Sequence, residues 1–325
     1  MGRLLFSLTL IIGGLFTGYI VQQLVNRELM RLPWTLEQTR KNLQRLGLLF
    51  FMPISFVGAI WIVRLDTVKV ALLPLIGVGS LLLGGLCGLA IARLRGCTPA
   101  QTGTLFCCGS FTNIGSIGSL VCFIFLGEAG FALVAVYKMF EEVVYYTIGF
   151  PIARYFSGAA KDPLSLLGRL WKVISDPFVC AALTALTVGL ALNLLSIPRP
   201  HIFETVNSIF VPLGTLVLLI SIGMGMRFGS VAHYAVDGIM IAAVKFVVVP
   251  LAAVSCAYFL GLGALQDGLP LKVVLVNSSM PVAFTALVAA SIYDLDLNLA
   301  NTCWLISTFG LLLVLPWLAF ALTHF

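Results

Sequence analysis

Ten windows of about twenty mostly apolar residues, near 4–25, 46–63, 70–92, 103–126, 130–153, 177–195, 205–226, 238–260, 271–293 and 298–320, take up most of this 325-residue chain. A helix rises about 1.5 Å per residue, so about twenty residues cross a hydrocarbon core of about 30 Å. Ten such windows exclude a water-soluble domain, because 60% of the residues are hydrophobic and only 10% charged, against about 45–50% and about 25% in soluble proteins. The expected fold class is an all-α integral membrane protein of about ten transmembrane helices.

The formal net charge is +6, but the bases gather in short gaps between apolar windows rather than in a patch interleaved with aromatics, so nucleic acid is not an expected partner. Twelve bases, Arg27, Arg31, Arg40, Lys41, Arg45, Arg93, Arg95, Arg154, Lys161, Arg169, Lys172 and Arg227, follow windows 1, 3, 5 and 7. Only Arg3, Arg64, Lys69, Arg199 and Lys272 fall on the other side. Cytoplasmic loops attract Lys and Arg. The bias predicts a plasma (inner) membrane protein, multi-pass, with cytoplasmic odd-numbered loops and both termini extracytoplasmic. Arg3 before an apolar run imitates a signal peptide, but the run is too long and lacks a small-residue cleavage site, so the first segment is expected to be retained.

The eight cysteines lie in or beside apolar windows with no CxxC pair and no His at ligand spacing. They read as small core residues, and no metal site or catalytic residue is expected.

The prolines expose a duplication. LFFMPIS around Pro53 resembles SIFVPLG around Pro212, and VKVALLPL (68–75) matches VKFVVVPL (244–251), with Lys five residues before Pro both times. GSLVCFIFL around Leu120 matches TALVAASIY around Leu287, and GFPI at Pro151 falls opposite VLPW at Pro316. Five spans per half is odd, so the second half is expected upside down relative to the first. The domains expected are a first five-helix repeat at 1–156, a connecting cytoplasmic loop at 157–172, and an inverted repeat at 173–325. Inverted repeats are the architecture of many secondary carriers, which bind substrate where the halves meet.

Spans 4 and 9 carry residues that mid-membrane helices avoid. FCCGSFTNIGSIGSLVCFIFLG sets Gly109, Ser110, Thr112, Asn113, Gly115, Ser116, Gly118 and Ser119 at the centre of span 4; VVLVNSSMPVAFTALVAAS sets Asn277, Ser278, Ser279 and Pro281 at the same depth in span 9. Proline removes a backbone donor and glycine eases unwinding, so both helices are predicted to break. Irregular backbone at that depth is tolerated only where it lines a cavity within protein. Half-helix N-termini there favour an anion. The expected substrate-binding positions are Asn113, Gly115, Ser116, Asn277, Ser278, Ser279 and Pro281. The competing reading is close helix packing by small residues.

Span 5 carries Lys138, Glu141 and Glu142, where a charge costs at least about 2.5–3.5 kcal/mol. Lys138 and Glu142, at i,i+4, can pair on one face, with Tyr145 one turn further along and Glu141 left over as an extra carboxylate; Lys138, Glu141 and Glu142 are together the residues expected to couple transport to H+ or Na+. A purely structural ion pair is the alternative. The corresponding stretch of span 10, near Cys303, Ile306 and Ser307, is uncharged. Ser307 reads as deep but away from any break, and Lys245 as a residue that snorkels to the interface.

These motifs, GSFTNIGSIGSLV, SDPFVCAALTALTVGLALNLLSIP, FVPLGTLVLLISIGMGMRF, VKFVVVP and NSSMPVAF, resemble the auxin efflux carrier family, which includes PIN-FORMED proteins and bacterial malonate transporters. The resemblance implies a scaffold and a transport domain, crossing spans 4 and 9, and elevator-like transport of small carboxylates. It also implies an Asn at each crossing in contact with substrate, Asn113 and Asn277 here. The family often has a crossing proline in both halves, whereas Ile114 stands opposite Pro281 in this alignment. The expected partners are a small organic anion and the lipid bilayer, with a homodimer left open; no cofactor is expected beyond a coupling ion. Two rival readings are a sodium-coupled symporter of the bile-acid transporter type and an intramembrane hydrolase. The hydrolase lacks a His at membrane depth, since His201, His233 and His324 fall in loops or at the terminus.

Overall fold

The computed structural model describes residues 2–62, 68–157, 171 and 175–324. The connecting loop expected at 157–172 lies, apart from Ser157 and Trp171, outside the described residues. Among the described residues the chain is helical, with one isolated β-bridge and no strand. The helices are α1 Gly2–Asn26, α2 Leu36–Leu46, α3 Met52–Ile60, α4 Leu73–Arg95, α5 Pro99–Ser110, α6 Ser119–Tyr137, α7 Glu141–Val144 and α8 Phe150–Phe156. They continue with α9 Pro177–Leu194, α10 Ile202–Gly223, α11 Ala235–Ala243, α12 Val249–Phe259, α13 Leu269–Ser278, α14 Thr285–Ile292 and α15 Leu297–His324.

Among the described residues, eight helical stretches are long and apolar enough to cross a membrane. The windows near 103–126 and 271–293 supply no continuous crossing of their own, because each is interrupted. The first divides into α5, a π turn at Ile114–Gly118 and the start of α6; the second divides into α13 and α14. Gly127, with φ 73° and ψ −167°, breaks α6 at the boundary between windows 4 and 5. That backbone region is open almost only to glycine.

Proline fixes other irregularities. Three π turns, Gly47–Phe51, Tyr145–Gly149 and Val244–Val248, each end two residues before a proline: Pro53, Pro151 and Pro250. A proline ring clashes with the carbonyl four residues back and donates nothing to it, and a one-residue widening of the preceding turn relieves the clash. The turn before Pro74 is instead a 3-10 turn, Val68–Leu72.

The chain forms two compact units, each drawing on both halves of the sequence: 1–66, 115–135 and 177–226 in one, 67–114, 136–176 and 227–325 in the other. In the first, the rings of Phe56 and Phe131 stack at 4.5 Å. The carbonyls at the end of α3, which have no partner within their helix, are taken by side chains: Asn193 donates to Ile60 and Trp61, and Arg199 donates to Gly58 while pairing with Glu128 at 2.5 Å. In the second, α4 and α5 pack backbone to backbone. A Cβ on Gly109 would lie 2.1 Å from the Gly84 carbonyl oxygen, and one on Gly84 equally close to that of Gly109. At one end of this unit Arg95 pairs with Asp237 at 3.0 Å and the Tyr234 hydroxyl donates to Asp296 at 2.6 Å.

Candidate functional site

The two interrupted helices meet each other within the second unit. Helix α5 stops at Ser110, the chain runs extended through Phe111, and Thr112 forms an antiparallel bridge with Val282, in the segment between α13 and α14. The Asn113 amide donates to the Pro281 carbonyl at 2.9 Å, and the Ala283 amide donates to that of Phe111 at 3.0 Å. Two broken helices in hydrocarbon would strand these groups at several kcal/mol each; paired, they satisfy one another. In space, Asn113 rather than Ile114 faces Pro281.

The bridge leaves the amides of Thr112 and Val282 pointing outward, and a side chain meets each. The Tyr145 hydroxyl accepts from the Thr112 amide at 3.1 Å, and the Ser307 hydroxyl accepts from the Val282 amide at 3.2 Å. Ser307 is therefore part of the crossing, contrary to its reading as a bystander in span 10. It is fully buried on α15, where its own hydroxyl hydrogen goes to the Trp304 carbonyl at 3.1 Å.

Lys245 does not snorkel to the interface as its sequence suggests: it is 1% exposed, and its ammonium donates to Thr112 Oγ1 at 2.6 Å and to the Ser110 carbonyl at 3.3 Å. A cation at the end of α5 suits the partial negative charge of a helix C-terminus. Both its partners are neutral oxygens, and among the described residues it makes no ion pair. Burying an ammonium with so little compensation is costly, and a bound anion would supply what is missing.

The span 5 charges are arranged differently from the expected i,i+4 pair. The chain turns at Lys138–Phe140 between α6 and α7, and this rotates Lys138 toward Glu141, with Nζ–Oε2 at 3.1 Å. Glu141, 6% exposed, also accepts from Tyr145 through Oε1 at 2.8 Å. Glu142 is the carboxylate left over: partly exposed, it makes no hydrogen bond or ion pair among the described residues. Lys138, Glu141, Tyr145, Thr112 and Lys245 thus form one chain of polar contacts running through the bridge. The π turns before Pro151 and Pro250 contain Tyr145 and Lys245, so two prolines outside the site set the rotation of two side chains inside it.

Asn277 is fully buried one residue inside the end of α13, its amide nitrogen donating to the Val273 carbonyl at 2.8 Å. Ser278 likewise donates back to Val274 at 2.6 Å. Ser279 is fully buried and its hydroxyl has no partner among the described residues, as is true of the Ser110 hydroxyl. Gly115 and Ser116 lie in the π turn that follows the bridge and are grouped with the first unit. Lys245, Thr112 and Ser307 are what sequence reasoning missed. The signal for Lys245 was its fixed spacing to Pro250.

Apolar helices in this number, with interrupted helices whose breaks pair inside protein, define a multi-pass membrane transporter. Residues 35–319 match the family described as Membrane transport protein, the auxin efflux carrier family, and the chain belongs to it. It is similar to an uncharacterized transporter of Methanothermobacter thermautotrophicus, 25% identical over 256 residues, covering 78% of this chain and 80% of that one. It is also similar to an uncharacterized transporter of Methanocaldococcus jannaschii, 26% identical over 226 residues, covering 67% and 68%.

Proposed function

We propose that the protein is a secondary active transporter that carries a small organic anion, with the paired breaks as its substrate site. The single observation that carries this reading is Lys245: a buried ammonium held only by neutral oxygens at the point where two helices unwind. Such a charge is most stable beside an anion, and the adjoining half-helix N-termini reinforce that preference. Asn113 and Asn277, at or beside the breaks, are the side chains assigned to orient the substrate.

The unit containing the site, 67–114 with 136–176 and 227–325, is assigned as the moving transport domain and the other as the scaffold of an elevator-type mechanism. The Lys138–Glu141–Tyr145 chain is assigned to coupling. A sodium-coupled mechanism is disfavoured, because the Lys245 ammonium occupies the oxygens at the end of α5 that a sodium ion would need. Uptake of labelled small mono- and dicarboxylates into proteoliposomes, under imposed proton and sodium gradients, tests the reading. Uptake that follows the sodium gradient, or no carboxylate uptake with any gradient, would overturn it.

The orientation proposed from loop charge puts the termini outside. Single cysteines near residues 40 and 165, in a cysteine-free background, should be shielded from an impermeant thiol reagent added outside. A cysteine appended after Phe325 should be labelled, and the reverse pattern overturns the orientation.

A further inference from the structure

The crossing has two faces of unlike chemistry. Thr112 meets Lys245 and Tyr145, whose hydroxyl donates to Glu141 of the ion pair in span 5; Val282 meets α15, which carries no charged side chain between Leu297 and His324. On α15, Trp304 and Thr308 lie four residues apart, on either side of Ser307, which holds the Val282 amide. Among the described residues, Trp304 is 0% exposed and its Nε1–H meets no acceptor, and Thr308 is 4% exposed and its hydroxyl has no partner. The Trp304 and Phe284 rings form a T-shaped pair, with centroids 6.1 Å apart and planes at 87°. Phe284 caps α14 and offers the helix no side-chain hydrogen bond. Ser279, three residues before Val282, adds a third buried donor that has no partner among the described residues.

An indole N–H can only donate. Buried threonine hydroxyls in helices commonly donate to the carbonyl one turn back, as Thr302 does to Asn298 at 2.9 Å, and Thr308 does not. Unpaired donors of this kind beside a helix N-terminus call for an oxygen acceptor.

We propose that Trp304, Thr308 and Ser279 form a neutral donor subsite that binds a second oxygen function of the substrate, separate from the anionic group held at Lys245. These residues then determine specificity: they select carboxylates bearing a further hydroxyl, carbonyl or carboxylate oxygen over carboxylates with a plain alkyl chain. The inference rests on the anion site proposed above. A site built to hydrogen-bond a polar group discriminates strongly against the analogue lacking it, because its own donors are then left unpaired.

The test uses the full chain purified in detergent, with Thr308→Val as an isosteric variant, Trp304→Phe as a second, and propionate, lactate, pyruvate and malonate as probes. Wild type is expected to bind at least one oxygenated probe about tenfold or more tighter than propionate. Thr308→Val should keep or raise the melting temperature of the ligand-free protein, since it removes an unpaired hydroxyl, while the preference falls about fivefold or more and propionate binding is unchanged. Trp304→Phe should lose the same preference. A lowered melting temperature with an intact preference in Thr308→Val would show a structural hydroxyl and overturn the subsite. Lys245→Met, run in parallel, separates the two readings. If it abolishes binding of all four while Thr308→Val and Trp304→Phe keep the preference, the subsite alone fails. If it binds all four like wild type, or if wild type binds none, the anion site fails and the subsite with it.

Discussion

Lys245 Nζ donates to Thr112 Oγ1 across 2.6 Å, and Thr112 is also the residue that bridges to Val282. One side chain therefore ties a buried positive charge to the hydrogen bonds that hold two broken helices together. The charge and the crossing thus share one residue. Replacing Lys245 by Met keeps the apolar stem and removes the ammonium. Buried charges exchanged for apolar groups of similar volume often leave stability equal or higher. Lys245→Met is therefore expected to melt at or above the wild-type temperature and to lose about tenfold or more in carboxylate affinity, equivalent to about 1.4 kcal/mol. Ligand-induced thermal shifts alongside uptake check this. Wild-type affinity in a stable variant would remove Lys245 from the site.

Ser307 separates the roles of the two faces. Its hydroxyl is the acceptor for the Val282 amide, so Ser307→Ala leaves a buried N–H unsatisfied at about 1–3 kcal/mol. The expected result is a lower melting temperature. Thr323→Ala, near the exposed end of α15, is the control and should change stability by less than about 0.5 kcal/mol. Equal melting temperatures for the two variants would show that the amide finds another partner.

The all-helical membrane architecture and the positions of both breaks were legible in the sequence, because hydropathy and the clustering of Gly, Ser, Asn and Pro are local signals. What the breaks do with their backbone groups was not. The pairing of Thr112 with Val282 joins residues 170 positions apart, and nothing near either one announces the other. Lys245 illustrates the second limit. Whether a lysine near a helix end reaches the interface or the interior depends on helix rotation, and the π turn before Pro250 changes that rotation. The choice between Glu141 and Glu142 failed for a similar reason. The i,i+4 rule presumes a continuous helix, and the turn at Lys138–Phe140 carries neither Gly nor Pro to mark it.

Gly109 tests the close approach of α4 and α5. A Cβ there would sit 2.1 Å from the Gly84 carbonyl oxygen, and backbone cannot move aside as a flexible side chain can. Gly109→Ala should destabilise by about 1–3 kcal/mol or more, the range for overpacking, and shift Ser110 and the crossing with it. Reduced yield of folded protein and reduced uptake are expected together. Gly79→Ala, on the same helix as Gly84 and with open space at its Cβ, should fold and transport normally.

The two carboxylates of span 5 should behave unequally. Glu141 accepts from Tyr145, whose hydroxyl holds the Thr112 amide, and it pairs with Lys138; Glu142 takes no part in that chain. Gln keeps the shape and the acceptor of Glu but cannot ionise, so Glu141→Gln preserves the bond from Tyr145 while removing the direct ion pair with Lys138. Losing one partner of a buried pair costs about 3–5 kcal/mol. The position facing Tyr145 should therefore show both a lowered melting temperature and a loss of gradient-driven uptake. Counterflow exchange, which needs no net movement of a coupling ion, should remain measurable in Glu141→Gln. Glu142→Gln should keep both activities within about twofold, since no hydrogen bond or ion pair is lost with its charge. If Glu142→Gln loses gradient response while Glu141→Gln retains it, the coupling carboxylate is the one outside the Tyr145 chain, and the path through Thr112 to Lys245 has no part in coupling.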